Sequence, residues 1–302
     1  MRIIVIFVIT FLSIASLHAK GDLHIYTVDN KAGKITPLMI QKAFAKSDFT
    51  IGINSDIHDG LISHYGESGF KIYNAISLYH NNISLRLIKE QADAGIFVPM
   101  GVVIYQTEKE TDLHIAVVSA DAQAKILGKE TKLLGELEFF IDKVITKLFP
   151  KAKHTYSKES LKETRPLLTK YSLNIKGKDW EESKEELEEN FEDQFAKAGF
   201  VMPSYFDFSE KFGEDSPYDF YATYSICKIE VIKEVSKVKP EAAAFAPCTT
   251  MMYKKKDDDN IVMGFTAVYN WLSSAAITDK ASRDALMQAQ SDFEGVLKDV
   301  TK

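Results

Sequence analysis

The feature that most restricts how this chain can fold is a repeat. Shifting the stretch Tyr73–Ala120 by 148 positions sets Tyr73 on Tyr221, Ser77 on Ser225, Ala94 on Ala242, Phe97 on Phe245, Pro99 on Pro247 and Tyr105 on Tyr253, with no gap. Hydropathy follows, since Leu113, Ile115 and Val117 fall on Ile261, Met263 and Phe265. Self-similarity over this span means two copies of one folding unit. Upstream, Ile57, Leu61, Tyr65, Gly69 and Phe70 match Leu187, Phe191, Phe195, Gly199 and Phe200 at a shift of 130. Both read as amphipathic helices closed by a glycine cap. The shifts differ by 18 residues, which predicts an extra segment in the second copy, about Val201–Tyr218.

Each copy carries the same order of signals. A strand of alternating hydropathy (Tyr73–Tyr79; Tyr221–Cys227) is followed by a short helix (Ser84–Ala92; Glu230–Lys237). A β-hairpin comes next, Ile96–Gln106 with Leu113–Val118, and Phe245–Lys254 with Ile261–Val268. The Lys254–Asn260 charge run is its solvated turn in the second copy. Closing helices are marked by the stripes Leu137, Phe140, Ile141, Val144, Ile145, Leu148 and Leu286, Ala289, Phe293, Val296, Val300. The expected fold class is α+β: two repeated modules, each a mostly antiparallel sheet with helices on one face, forming a pseudo-dimer.

With 302 residues, 45% hydrophobic and 26% charged, the chain has the make-up of a globular protein of about two domains. Residues 1–19 read as a signal peptide: Arg2 supplies the positive region, Ile3–Leu12 the apolar run, and a cut after Ala19 follows small residues. The run is short for a span, and no later stretch is long and apolar enough for one, so no stable membrane span is expected after cleavage. The protein is expected to be bacterial and periplasmic or secreted. Residues 20–150 form the first module, 151–180 a polar Lys-rich linker, and 181–302 the second module. The acidic run Glu181–Glu192 reads as a solvated helix face. Loss of Arg2 takes the net charge from −6 to −7, which speaks against nucleic acid as a partner.

The second copy carries further marks: Gly199-Phe200, Tyr221 six residues before Cys227, a short helix, and Ala246-Pro247-Cys248 opening a strand that reaches Tyr253. In these it resembles the domain of unknown function 302 family, over Glu181 to about Ser273. The first copy is more divergent and keeps Gly69-Phe70, Tyr73, Phe97, Pro99 and Tyr105, while Tyr79 and Met100 stand at its cysteine positions. Lys228-Ile229 stands where many members carry Asn-Pro. The resemblance implies a small α+β domain that pairs through its sheet, and no established activity.

Cys227 ends one strand and Cys248 begins another, so the pair admits three readings: a disulfide, two inert buried thiols, or a redox-active pair. No Cys-x-x-Cys motif supports a thioredoxin-type site. A copper alternative uses Cys227, Cys248 and Met252, because thiolate and thioether donors favour Cu(I), and alternation puts Cys248, Thr250 and Met252 on one strand face. No other cofactor is expected. The histidines lack zinc spacing, and no phosphate loop or nucleophile elbow occurs. The Val201–Tyr218 segment is rich in aromatics and acids, so Tyr205, Phe208, Tyr221, Tyr253 and Trp271 are candidates for the wall of a ligand cleft between the modules. The resulting expectation is a non-catalytic exported protein that binds a small ligand or a periplasmic protein partner. A thiol- or metal-dependent redox protein is the alternative.

Overall fold

The structure is a computed structural model that describes residues 20–162, 165–246 and 248–302. The expected signal peptide, residues 1–19, and Pro247 lie outside the described residues. The first module runs β1 (Leu23–Asp29), α1 (Pro37–Ala45), β2 (Phe49–Asp56), α2 (Ile57–Tyr65), β3 (Phe70–His80), α3 (Ile83–Glu90), a 3-10 turn (Ala92–Phe97), β4 (Met100–Thr107), β5 (Asp112–Val118), α4 (Ala120–Leu127) and α5 (Lys132–Leu148). A short strand β6 (Lys153–Tyr156) follows. The second module runs β7 (Leu168–Asn174), α6 (Trp180–Lys197), β8 (Val201–Asp207), β9 (Tyr218–Cys227), α7 (Ile229–Ser236), a 3-10 turn (Pro240–Phe245), β10 (Cys248–Lys255), β11 (Asn260–Thr266), α8 (Tyr269–Ser274) and α9 (Lys280–Val300).

Two antiparallel sheets result, in the orders β2-β3-β4-β5-β1-β6 and β7-β11-β10-β9-β8. Alternation along each strand assigns its faces. In β3, Ile76 and Leu78 pack with Leu137, Ile141 and Val144 of α5, whereas Tyr73, Ala75 and Tyr79 belong to the core shared with the second module. In β9 the ring of Tyr224 lies 5.0 Å from Phe191 of α6, while Tyr221 turns to the first module. Each sheet is therefore covered by helices on one face and by the other module on the other. Helix α5 begins at Thr131, whose side chain caps the Leu133 N–H, and α9 begins at Asp279, which caps Ser282.

The modules interlock through reciprocal contacts. The first module's 3-10 turn packs on β10, and the second module's turn packs on β4. Tyr73 Oη donates to the Pro240 carbonyl at 3.3 Å, and Tyr221 Oη donates to the Ala92 carbonyl. Donors and acceptors are both related by the shift of 148, so the sequence repeat is a pseudo-twofold in space. Tyr253 Oη meets Asp93 at 3.3 Å, and Tyr105 lies near Glu241, which together with burial pushes its phenol upward. Two glycines mark the closest approaches. A Cβ on Gly95 would lie 1.9 Å from Tyr221 Oη, and one on Gly101 would lie 2.1 Å from the Ala246 carbonyl oxygen. The equivalent of Gly101 is Thr249, whose hydroxyl donates to the Pro99 carbonyl at 2.8 Å.

Three expectations need correction. First, the helix match at a shift of 130 pairs elements that differ in topology. Helix α6 follows β7 and precedes β8, as α1 follows β1 and precedes β2, so α6 corresponds to α1, and α2 belongs to the first module alone. Second, Val201–Tyr218 is not an addition, because β8 pairs with β9 as β2 pairs with β3. Third, residues 151–180 contain β6, which pairs with β1, and β7, which pairs with β11. Both are edge strands with much of their surface exposed, so their polar residues concealed them.

Candidate functional site

Cys227 and Cys248 meet at the α7–α9 end of the second sheet. Cys248 opens β10 opposite Ile226, one residue out of register with Cys227 at the end of β9. Both line a cavity of about 30 Å³ with apolar walls that include Phe265, Leu286 and Phe293. The cysteines are free thiols, not a disulfide. A diagonal pairing does not by itself bring the Cβ vectors together as a bridge requires. Burial pushes the Cys227 thiol up to about 11, against a lowering hydrogen bond from the Lys228 backbone. Burial, and then the Cys227 charge, pushes Cys248 up to about 12. Both are neutral near pH 7 and therefore weak nucleophiles.

Met252 does not join them. It shares the helix-side face with Cys248, as expected, but lies four residues along β10, about 13 Å at the usual strand rise. The three-donor copper set is thereby corrected to two thiols. Among the described residues, no group of three or more His, Cys, Asp or Glu side chains is placed to hold a metal ion.

The five cleft candidates separate into three places. Phe208, Tyr221 and Tyr253 come together at the module interface, with Tyr221 and Tyr253 stacked 5.4 Å apart and Phe208 edge-on to Tyr79 at 5.2 Å. All three are buried there as packing. Tyr205 is exposed on the outer edge strand against Tyr224. Trp271 lies in the wall of the thiol cavity, 2% exposed, and its indole Nε1 has no hydrogen-bond partner.

A groove between the modules does exist, but other residues build it. It encloses about 490 Å³ between the α2–β3 loop and β4–β5 turn of the first module and α7 of the second. Leu61, Phe70 and Pro240 are apolar members of its lining. Glu67, Glu108 and Lys109 enter from one module and Lys233 and Lys237 from the other. Lys237 pairs with Glu234 at 2.8 Å, and Lys233 rests on the Tyr65 ring at 3.6 Å. Among the described residues, Glu67, Glu108, Lys109 and Lys233 form no ion pair. Sequence reading missed this set because scattered surface charges carry no spacing signal.

A second cluster lies on the first module. His24 Nε2 meets Glu138 Oε1 at 2.7 Å, and His24 Nδ1 meets His154 Nε2 at 2.9 Å. The Ala120 N–H also donates to Glu138 Oε1 at 2.7 Å. Tyr26 donates to Asp142 at 3.0 Å and stacks on His154 at 4.4 Å. The strands β1 and β6 place these groups by pairing His24 with Tyr156 and Tyr26 with His154. Burial, then the neighbouring His24 charge, holds His154 below its ordinary value, despite Asp142 and Glu138. The signal for this cluster was a His-x-Tyr triplet present twice, at His24–Tyr26 and His154–Tyr156.

With this geometry in view, comparisons locate the chain among known proteins. Residues 177–300 match the family Domain of unknown function DUF302. The crystal structure of uncharacterized conserved protein DUF302 from Bacillus stearothermophilus is similar at 16% identity, with a TM-score of 0.36, over 45% of this chain and 98% of that one. No curated protein matches. No helix among the described residues is long and apolar enough to cross a membrane.

Proposed function

We propose that this chain, whose second half carries the DUF302 match, is an exported, non-catalytic protein that binds a small ligand in the groove between its modules. The observation that carries this reading is the groove itself. Both modules line it, and its volume lies within the range of ligand pockets, about 300–1,000 Å³. Glu67, Glu108 and Lys109 line it from the first module and Lys233 from the second, and among the described residues none of the four is in an ion pair. Unpaired charges of both signs suit a small zwitterion such as a free α-amino acid, whose ammonium and carboxylate each gain a charge-assisted hydrogen bond. Export rests on Arg2 and the apolar run Ile3–Leu12. The alternative, a thiol-dependent redox protein, is disfavoured because both thiols are held neutral.

The test is a thermal-shift titration of the mature protein with each of the twenty free amino acids, repeated on Lys233→Ala and Glu108→Gln. A concentration-dependent rise in the midpoint with one chemical class, weakened in both variants, supports the reading. If no amino acid raises the midpoint, the zwitterion reading is wrong. If the shift survives in both variants, the groove is not the site. Mass spectrometry of periplasmic protein should find Lys20 at the N-terminus.

A further inference from the structure

We infer that Cys227 and Cys248 together form a two-coordinate site for a soft monovalent metal ion, Cu(I) in biological terms. This site is separate from the groove and does not depend on the reading given for it. Three observations converge. Both thiols line one cavity of about 30 Å³, the scale of a single atom or water rather than of an organic ligand. The rest of the wall is aliphatic and aromatic carbon, with Lys228 as its one charged residue and no carboxylate or imidazole, so hard and borderline cations find no oxygen or nitrogen donors. Lastly, the same wall holds polar hydrogen: the Lys228 backbone N–H bonds to Cys227, and Trp271 Nε1 is buried there with no acceptor, neither sulfur included.

An orphaned buried donor costs free energy until an acceptor arrives. Loading the site puts negative charge into the cavity, which the unpaired N–H dipole in its wall favours. Metal entry forms two Cu–S bonds and breaks two S–H bonds. Both protons leave to solvent, the copper enters and stays as Cu(I), and no electron changes hands. The product carries one negative charge, beside the Lys228 side chain, whose ammonium is also paired with Asp292 at 2.9 Å. The first module cannot do the same, since Tyr79 and Met100 occupy the equivalent positions.

The experiment delivers Cu(I) to the full mature chain under anaerobic reducing conditions, in competition with bathocuproine disulfonate. One Cu(I) per chain is expected, with two sulfur neighbours by X-ray absorption. Cys227→Ser and Cys248→Ser, each checked for folding by circular dichroism, should weaken retention by more than about 100-fold, beyond the effect expected of an outer-shell change. Trp271→Phe should keep the stoichiometry and lose about 10-fold in affinity. The inference is overturned if the wild type yields all its Cu(I) to the chelator, or if the double variant Cys227→Ser/Cys248→Ser retains Cu(I) as the wild type does. Lys233→Ala, which disables the groove, should leave Cu(I) retention unchanged, so the two readings fail separately.

Discussion

The contact between Gly95 and Tyr221 allows a quantitative test of how tightly the modules interlock. Gly95 sits in the first module's 3-10 turn, where an added Cβ would lie 1.9 Å from Tyr221 Oη, 2.8 Å from Cζ and 2.9 Å from Cε1. The ring cannot move aside, since Tyr221 is fully buried, stacked on Tyr253 and held by its hydrogen bond to Ala92. Gly95→Ala should therefore cost at least the upper end of the overpacking range of about 1–3 kcal/mol. Tyr221→Phe removes the nearest atom but leaves the Ala92 carbonyl without its donor, at about 1–3 kcal/mol. In the double variant the worst clash has gone, so the total should fall short of the sum by about 1–2 kcal/mol. The assay is urea unfolding of all four proteins, followed by near-ultraviolet circular dichroism and by tryptophan fluorescence, with coincident transitions as the condition for the cycle. Additivity within about 0.5 kcal/mol would refute the close approach, because uncoupled sites add to about that tolerance.

Two further outcomes follow from the titrating groups. His154 has its folded-state value depressed, by burial first and the His24 charge second, so protonation favours the unfolded chain. Its contribution is full above the ordinary histidine value near 6.5 and is lost as pH falls below that value. Burial raises Glu138, but hydrogen bonds from His24 and the Ala120 N–H outweigh it, so its net depression adds a further loss at lower pH. The urea midpoint should thus drop between pH 7 and pH 5 in the wild type and by less in His154→Gln, whereas equal drops would contradict the cluster's role. At pH 8, iodoacetamide should label Cys227 about 100-fold and Cys248 about 1,000-fold more slowly than an exposed thiol, and labelling at the exposed rate would show that the sulfurs are not desolvated.

What could be read in the sequence, and what could not, has physical causes. The shift of 148 survived into space because Tyr73 and Tyr221, like Ala92 and Pro240, occupy the interface where the copies grip each other. The shift of 130 misled, because an i, i+4 stripe closed by Gly-Phe reports how a helix ends and not where in the topology it stands. Strands β6 and β7 were hidden by their exposed edge positions. The cysteines were legible as a pair, since consecutive antiparallel strands joined by a helix bring their ends together. The cleft was not legible. Hydropathy sees that Phe208, Tyr221 and Tyr253 are aromatic, but only packing shows that they fill the interface. The charges that do line the groove lie on a loop, a turn and a helix far apart in the chain.

The two halves form one interlocked body, joined by reciprocal contacts as well as by their covalent connection. A protease site placed between Lys162 and Arg165 in a chain of residues 20–302 tests it directly. After complete cleavage, residues 20–162 and 165–302 should co-elute as one species in gel filtration, unfold in a single transition, and separate only in denaturant. Halves that elute apart under native conditions, or unfold at two distinct midpoints, would contradict the account.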